Sequence, residues 1–356
     1  MRNMSSIEIE DAKNVAERVR SKFSLPSDLK FVITGSQGFL GSQLMNSLDQ
    51  LAAISKINIR VVCIDNGIRA NNRISYENLK IKYKSADVSV LGNNRVFRNT
   101  NYFIHLASIA SPVYYREFPL ETLMTNVYGT KNVLDLAKKY HSQGCLLMST
   151  SEIYGNPSAD AIPTSESYRG NVAYAGPRAC YDESKRVLET LAWIYQNKIG
   201  IPVSVVRPFN VYGPGMRLDD GRIIPDLVSA ILDGRDMQIY SDGGPTRSYC
   251  YVSDSVFFML AALFSGQDNP VVNIGADLIE TSVHDLAQMI ADLGKVVGWS
   301  GQLKFPASED PEYLIDNPQR RMPDLTRLRK LVGDFENLPL NIGLNRMISH
   351  YMEISA

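Results

Sequence analysis

Cysteine and histidine are both scarce in this chain of 356 residues, with four of each. Cys63, Cys145, Cys180 and Cys250 stand far apart, and the histidines are isolated. No spacing among them suits a metal, so none is expected, and reduced thiols in a cytoplasmic protein are the simplest reading. His105, at a strand end in FIHLAS, reads as structural. Long apolar runs are missing too: none approaches the roughly 18 residues of a membrane span, and the N-terminus has no apolar signal-peptide core. Charge bias is absent, with 37 Lys and Arg against 38 Asp and Glu and a net charge of −1. A nucleic-acid surface would need a basic excess. No internal repeat or low-complexity segment appears. What remains is a chain long enough to bury a full core and a smaller lobe, with a small molecule as its expected partner.

The stretch richest in signal is LKFVITGSQGFLGSQL, residues 29–44. Phe31, Val32 and Ile33 make a short apolar run, a small-residue turn follows, and Phe39 and Leu40 open an amphipathic segment. This is the strand–turn–helix unit of a dinucleotide site. Gly35 permits the tight turn, Gly38 lets backbone N–H groups approach a pyrophosphate, and Gly41 lets helix and strand pack closely. The anion would sit on the helix N-terminus. A second apolar strand, NIRVVCIDN, ends in Asp65, 24 positions after Gly41. A carboxylate there hydrogen-bonds the adenosine ribose and repels a 2′-phosphate, so NAD is expected over NADP, although Arg69 and Arg73 lie nearby. Asp87 and Val88 fit an adenine contact, and Leu106, Ala107 and Ser108 would lie under the ribose and phosphates. Thr122 to Tyr140 reads as a long helix whose apolar stripe is core or dimer surface.

Chemistry enters with the strand CLLMSTSEIYG, which delivers Thr150, Ser151 and Glu152 at its C-terminal end, where open parallel sheets bind ligands. Tyr181 and Lys185 follow at i and i+4, on one helix face. An ammonium beside a phenol is expected to draw its pKa down from about 10, making Tyr181 a base, while Lys185 holds the nicotinamide ribose. In the run 316–324, DNPQRRMPD, Arg320 and Arg321 offer planar forks suited to a diphosphate or carboxylate. The expected architecture is α/β, a Rossmann-type doubly wound parallel sheet over 30–210 with returning elements near 251–275. An N-terminal helical extension (1–29) precedes it, packed on the surface or at an oligomer contact, and a smaller interleaved lobe is built from 211–250 and 276–350.

From the glycine loop, spaced G-x-x-G-x-x-G, to the C-terminus, the chain resembles the extended short-chain dehydrogenase/reductases that modify sugar nucleotides. Within them it is most similar to the UDP-glucuronate decarboxylases (UDP-xylose synthases). The residues that carry this are HLASIASPVYY (105–115), TSEIYG (150–155), GPRACYDESKR (176–186), DDGRIIP (219–225) and DNPQRRMPD (316–324). The resemblance implies tightly held NAD, a homodimer through two long helices and a sugar nucleotide as substrate. Tyr181 would take the proton of the sugar 4-hydroxyl as the C4 hydride passes to NAD, and carbon dioxide would leave the resulting β-keto acid. Glu152, with Ser151 and Thr150, would hydrogen-bond the sugar and manage proton delivery at C5, and Arg321 would face the substrate carboxylate. Asn210 and Arg247 match diphosphate contacts, Gln238 and Tyr240 lie where the base is held, and Ser111 and Tyr115 would border the sugar.

Three alternatives stay open. A 4,6-dehydratase acting on thymidine-linked glucose would carry an Asp where Ser151 stands, whereas GDP-mannose-type dehydratases read Thr-Ser-Glu as here. A simple 4-epimerase normally lacks Glu152, and a non-catalytic dinucleotide-binding protein would have lost Tyr181, Lys185 or Glu152. Two stretches depart from the decarboxylase pattern, Ala173-Tyr174-Ala175 in place of an Asn-Pro pair and a longer segment at 307–317.

Overall fold

The apolar runs of the first half point their side chains alternately to two sides, and this sets the layers. In the computed structural model, which describes residues 3–67, 74–266, 271–277, 279–308, 310, 315 and 317–355, these runs and two from the second half form seven parallel strands. They are β1 (Asp28–Thr34), β2 (Asn58–Asp65), β3 (Leu79–Ser85), β4 (Tyr102–His105), β5 (Gly144–Met148), β6 (Val203–Pro208) and β7 (Val271–Ile274). Their order across the sheet is β7-β6-β5-β4-β1-β2-β3, the doubly wound arrangement. Phe31, Ile33, Val61, Ile104 and Leu146 enter one apolar cluster. Val32, Val62, Phe103 and Leu147 enter the other. Strands covered on both faces need continuous apolar runs, which the central strands show, whereas the edge strand β3, LKIKYKS, alternates apolar residues with lysine.

The sheet order reverses between β1 and β4, opening a crevice at their C-terminal ends. Thr34, His105 and Met148 stand at this edge, so the loops that follow them meet there. The helix expected over 122–140 runs from Pro119 to Lys139, with a wider π turn at Thr125–Gly129. That turn places Asn126 between two neighbours: its Oδ1 accepts from Ser108 Oγ at 2.7 Å and its Nδ2 donates to Ser184 Oγ at 2.9 Å. A functional loop is thereby tied to the helix Ala179–Ile194 that carries Tyr181.

The N-terminal helix Ser6–Lys22 opens with a capping box between Ser5 and Glu8 and buries Val15, Ala16 and Val19 in the first cluster. It packs against the glycine-loop helix Phe39–Ser55 and the helix Val252–Phe264. Polar anchors fix it: Gln43 donates to Glu8 Oε1 at 3.2 Å, and Arg18 pairs with Asp254 at 2.7 Å. The later part of the chain adds short strands. Thr246–Arg247 lies between Thr281–Ser282 and Arg320–Arg321, and this small sheet carries two arginines toward the crevice. Among the described residues no helix is long and apolar enough to cross a membrane, and no group of His, Cys, Asp and Glu could hold a metal ion.

Candidate active site

The glycine loop is closed by backbone. Gly35 sits at φ +70° and donates to Ile64 O at 2.8 Å, and a Cβ on it would meet Ala107 N at 2.7 Å. Only glycine fits there. A Cβ on Gly38 would come no closer than 3.4 Å to the protein, so packing within the chain does not demand this glycine. Gly38 begins the helix Phe39–Ser55 without a side-chain cap, which leaves the N–H groups of the first turn, Phe39, Leu40 and Gly41, to an incoming anion. Ser36 Oγ, buried in the same loop, has no hydrogen-bond partner among the described residues. Asp65 ends β2 beside the loop and accepts from Gln37 N at 3.1 Å and Gly67 N at 3.0 Å.

Asp87 is exposed and spends Oδ1 on Ser89, accepting from its N and Oγ at 2.8 Å each. Val88 is buried and crowds Gly129. Val88 thus packs against the 125–129 turn, and Asp87 caps a short 3-10 turn through Oδ1. Leu106, Ala107 and Ser108 do line the crevice edge, with Leu106 N donating to Thr34 O at 3.1 Å. His105 is buried, its Nδ1 2.7 Å from Thr34 Oγ1, and burial together with Lys185 pushes its pKa down to about 3. It is a neutral structural residue. Arg69 and Arg73 lie outside the described residues.

Tyr181 and Lys185 share one face of the helix Ala179–Ile194, with Nζ 5.7 Å from the phenol ring centroid. Tyr181 stacks on Tyr115, centroids 5.1 Å apart and planes at 11°. The expected drawing-down of the phenol by Lys185 is not what the protein alone produces. Burial pushes Tyr181 up to about 12, against the lowering influence of Arg222 and a hydrogen bond with Thr150. Lys185 is buried as deeply, and burial pushes it down to about 7. Its ammonium donates to Met148 O at 2.7 Å, and no other protein partner stands beside it among the described residues.

Glu152 is the electrostatic centre. Arg321 grips it with both arms of its guanidinium, Nη1 on Oε1 and Nη2 on Oε2 at 2.7 Å. Arg178 Nη2 adds a third bond to Oε2 at 2.6 Å. Burial alone would raise this carboxyl, but Arg321 and Arg178 hold it well below the usual carboxylate range. In this arrangement Glu152 is an ionised acceptor. The fork of Arg321, expected near the substrate carboxylate, here holds this internal carboxylate. Thr150 Oγ1 accepts from Glu152 N at 3.2 Å, and Ser151 is buried beside it.

The remaining expected residues divide. Arg247 is buried behind the pair, bonding Pro318 O at 2.7 Å, Thr246 O at 2.8 Å and Asn317 Oδ1 at 2.9 Å, and burial and Arg321 push its pKa down to about 10. Asn210, at φ +36°, donates to Ser248 O at 3.2 Å. Ser111 Oγ donates to Asp220 O at 2.6 Å, tying the sugar-side loop to the run 219–225. Tyr115 Oη is buried without a partner. Gln238 and Tyr240 bond each other near the surface. Arg320 points away to Glu280, so the paired-arginine reading of 320–321 is corrected: only Arg321 enters the crevice. Successive residues of a strand face opposite sides, and that alone separates them. Two arginines were not singled out from the sequence. Arg178 and Arg222 lie inside the runs 176–186 and 219–225, and their motif positions were the available signal.

The NAD dependent epimerase/dehydratase family model matches residues 31–275. Among curated proteins the chain is 36% identical over 336 residues to UDP-glucuronic acid decarboxylase 1 of Xenopus tropicalis, covering 93% of this chain and 74% of that one. It is 35% identical to UDP-glucuronic acid decarboxylase 3 of Arabidopsis thaliana, covering 92% and 90%. Among solved structures it is similar to dTDP-glucose 4,6-dehydratase DesIV of Streptomyces venezuelae, with TM-score 0.77, 22% identity and coverage of 91% and 97%. The UDP-glucose 4-epimerase of Thermotoga maritima gives 0.76, 21%, 92% and 100%. At these identities the solved structures speak for the fold.

Proposed function

The chain belongs to the NAD dependent epimerase/dehydratase family, and from that premise we propose that it decarboxylates UDP-glucuronate to a pentose nucleotide through a 4-keto sugar. The observation that carries this is the Glu152–Arg321 pair, a guanidinium fork at the crevice already shaped to hold a carboxylate in two-point contact. The curated relatives named above act on UDP-glucuronic acid, as their names state.

The residues fit NAD. The uncapped helix start at Phe39, Leu40 and Gly41 and the partnerless Ser36 hydroxyl suit a diphosphate, with Gly35 and Gly38 giving backbone access. Asp65 suits a ribose diol, Leu106 to Ser108 the adjoining sugar and phosphates, and the Lys185 ammonium a second ribose. When bound, NAD supplies a hydride acceptor at the sugar C4 and a positive ring charge beside Tyr181. Tyr181 takes the 4-hydroxyl proton at Oη. Thr150 is its hydrogen-bond partner, Arg222 is a cation acting on it, and Tyr115 fixes its ring plane. Arg321 holds the C6 carboxylate so that the breaking C5–C6 bond overlaps the C4 ketone. Ser151 and Glu152 orient the sugar, Asn210 and Arg247 lie on the diphosphate side, and Gln238 and Tyr240 on the base side. A 4,6-dehydratase would need an acid beside the departing 6-hydroxyl. Ser151, a poor acid, stands where the type acting on thymidine-linked glucose has Asp, which counts against that dehydratase.

The active unit is a homodimer. Leu120, Leu123, Met124 and Tyr128 on the 119–139 helix are exposed, as are Val187, Trp193 and Ile194 on its neighbour, and a second copy would cover these faces. The lobe that carries Arg247 and Arg321 is the substrate lobe, and the seven-stranded sheet is the NAD-binding part. Incubating the purified protein with a panel of nucleotide sugars and following products by mass spectrometry tests the reading. A pentose nucleotide from UDP-glucuronate alone is expected, and a 4-keto-6-deoxy product from a neutral hexose nucleotide would overturn it.

A further inference from the structure

We propose that Arg178 is a positioning residue that keeps Glu152 in place while Arg321 turns its fork to the substrate carboxylate. The proposal rests on the decarboxylase reading above.

Two arginines from different parts of the molecule converge on one carboxylate. Arg178 immediately precedes the helix of Tyr181, whereas Arg321 comes from a two-residue strand paired with Thr246–Arg247. Glu152 Oε2 is shared, taking Arg178 Nη2 at 2.6 Å and Arg321 Nη2 at 2.7 Å, and Oε1 belongs to Arg321. Among the described residues Arg321 has no acidic partner but Glu152, so a substrate carboxylate in its fork must take that place. Arg178 then becomes the one cation bonded to Glu152.

Its surroundings suit that duty. The Arg178 guanidinium lies 5.8 Å from the centroid of Tyr115, the ring stacked on Tyr181, and its Nε is 3.9 Å from Asp182 on its own helix. Glu152, Tyr115 and Asp182 thus surround it at the start of the helix that carries the base.

The test compares wild type, R178Q, R178K and R321Q, each checked for a folded far-ultraviolet spectrum, in turnover of UDP-glucuronate and in calorimetric binding of UDP-glucuronate and UDP-glucose. R178Q is expected to lose roughly thirtyfold or more in kcat with KM within about threefold, the pattern of a misplaced group and not of lost binding. The acid limb of its kcat profile should move up in pH, because Glu152 has lost a cation that holds it low. R178K should recover about a fifth or more of the wild-type kcat. R321Q should raise KM by about tenfold or more and erase the preference for UDP-glucuronate over UDP-glucose. An R178Q that loses this preference as R321Q does, or that keeps wild-type kcat and pH profile, overturns the proposal. If R178Q does not fold, R178M, which keeps the packed stem, takes its place with the same expectations. If the wild type prefers UDP-glucuronate yet releases no carbon dioxide, the decarboxylase reading fails alone, and the binding arm decides: preference retained in R178Q supports positioning, and preference lost overturns it. A wild type with no preference overturns both.

Discussion

At the scale of single residues, the pair Tyr181 and Lys185 illustrates what spacing conveys and what it does not. Their i, i+4 separation places them on one helix face, as the structure has them. Their charge states follow from burial, which a local pattern does not report: the phenol rises to about 12 and the ammonium falls to about 7. The Glu152 clamp was hidden for a related reason, since Arg178 and Arg321 are 143 positions apart in the chain. Tyr181→Phe should retain the fold and bind nucleotide while losing about two or more orders of magnitude in turnover, measured as product formed per active site. Lys185→Met is expected to separate stability from activity. The folded pKa of Lys185 lies below its ordinary 10.5, so between about 7 and 10.5 the unfolded chain binds more protons and stability rises with pH. At or below pH 7 the folded protein holds a buried ammonium, at a cost on the order of a few kcal/mol. Cofactor-stripped Lys185→Met should therefore melt about a few degrees higher than wild type at pH 6.5, with a smaller gain at pH 9.5, and be inactive. Calorimetric melts at the two pH values check the sign.

At the scale of elements, the central strands of the sheet were legible as short apolar runs, followed at Val32 to Gly35 by small residues. The π turn at Thr125–Gly129 was not, because it continues the same helical periodicity with one extra residue per turn. Nor was the seat of the N-terminal helix, whose partners Asp254 and Gln43 lie far along the chain. Arg18 is its outer anchor, paired with Asp254 at 2.7 Å and lying 3.9 Å over the ring of Phe257. Asp254 is buried, and Arg18 keeps a quarter of its side chain exposed, so the loss is discounted for solvent. Arg18→Ala should cost about 1 to 3 kcal/mol in denaturant unfolding. It should also raise amide exchange in residues 6–22 more than in the sheet. Equal exchange in both variants would show that apolar packing alone seats the helix.

At the scale of the whole molecule, composition pointed to a core with a smaller lobe, but it could not place Arg247 and Arg321 at the crevice. That placement depends on a three-strand sheet whose members, near 246, 281 and 320, come from separated parts of the sequence. The exposed faces with Leu120, Tyr128 and Trp193 carry a further expectation. Light scattering should give twice the monomer mass for wild type, and Trp193→Glu should shift the protein toward monomer. The most direct measurement of the central claim is carbon dioxide release from UDP-glucuronate labelled at C6. The account predicts label in the gas in one-to-one ratio with a UDP-pentose, abolished in Tyr181→Phe and strongly depressed in Arg321→Gln. Label retained in the nucleotide, with a neutral hexose nucleotide turned over instead, would contradict it.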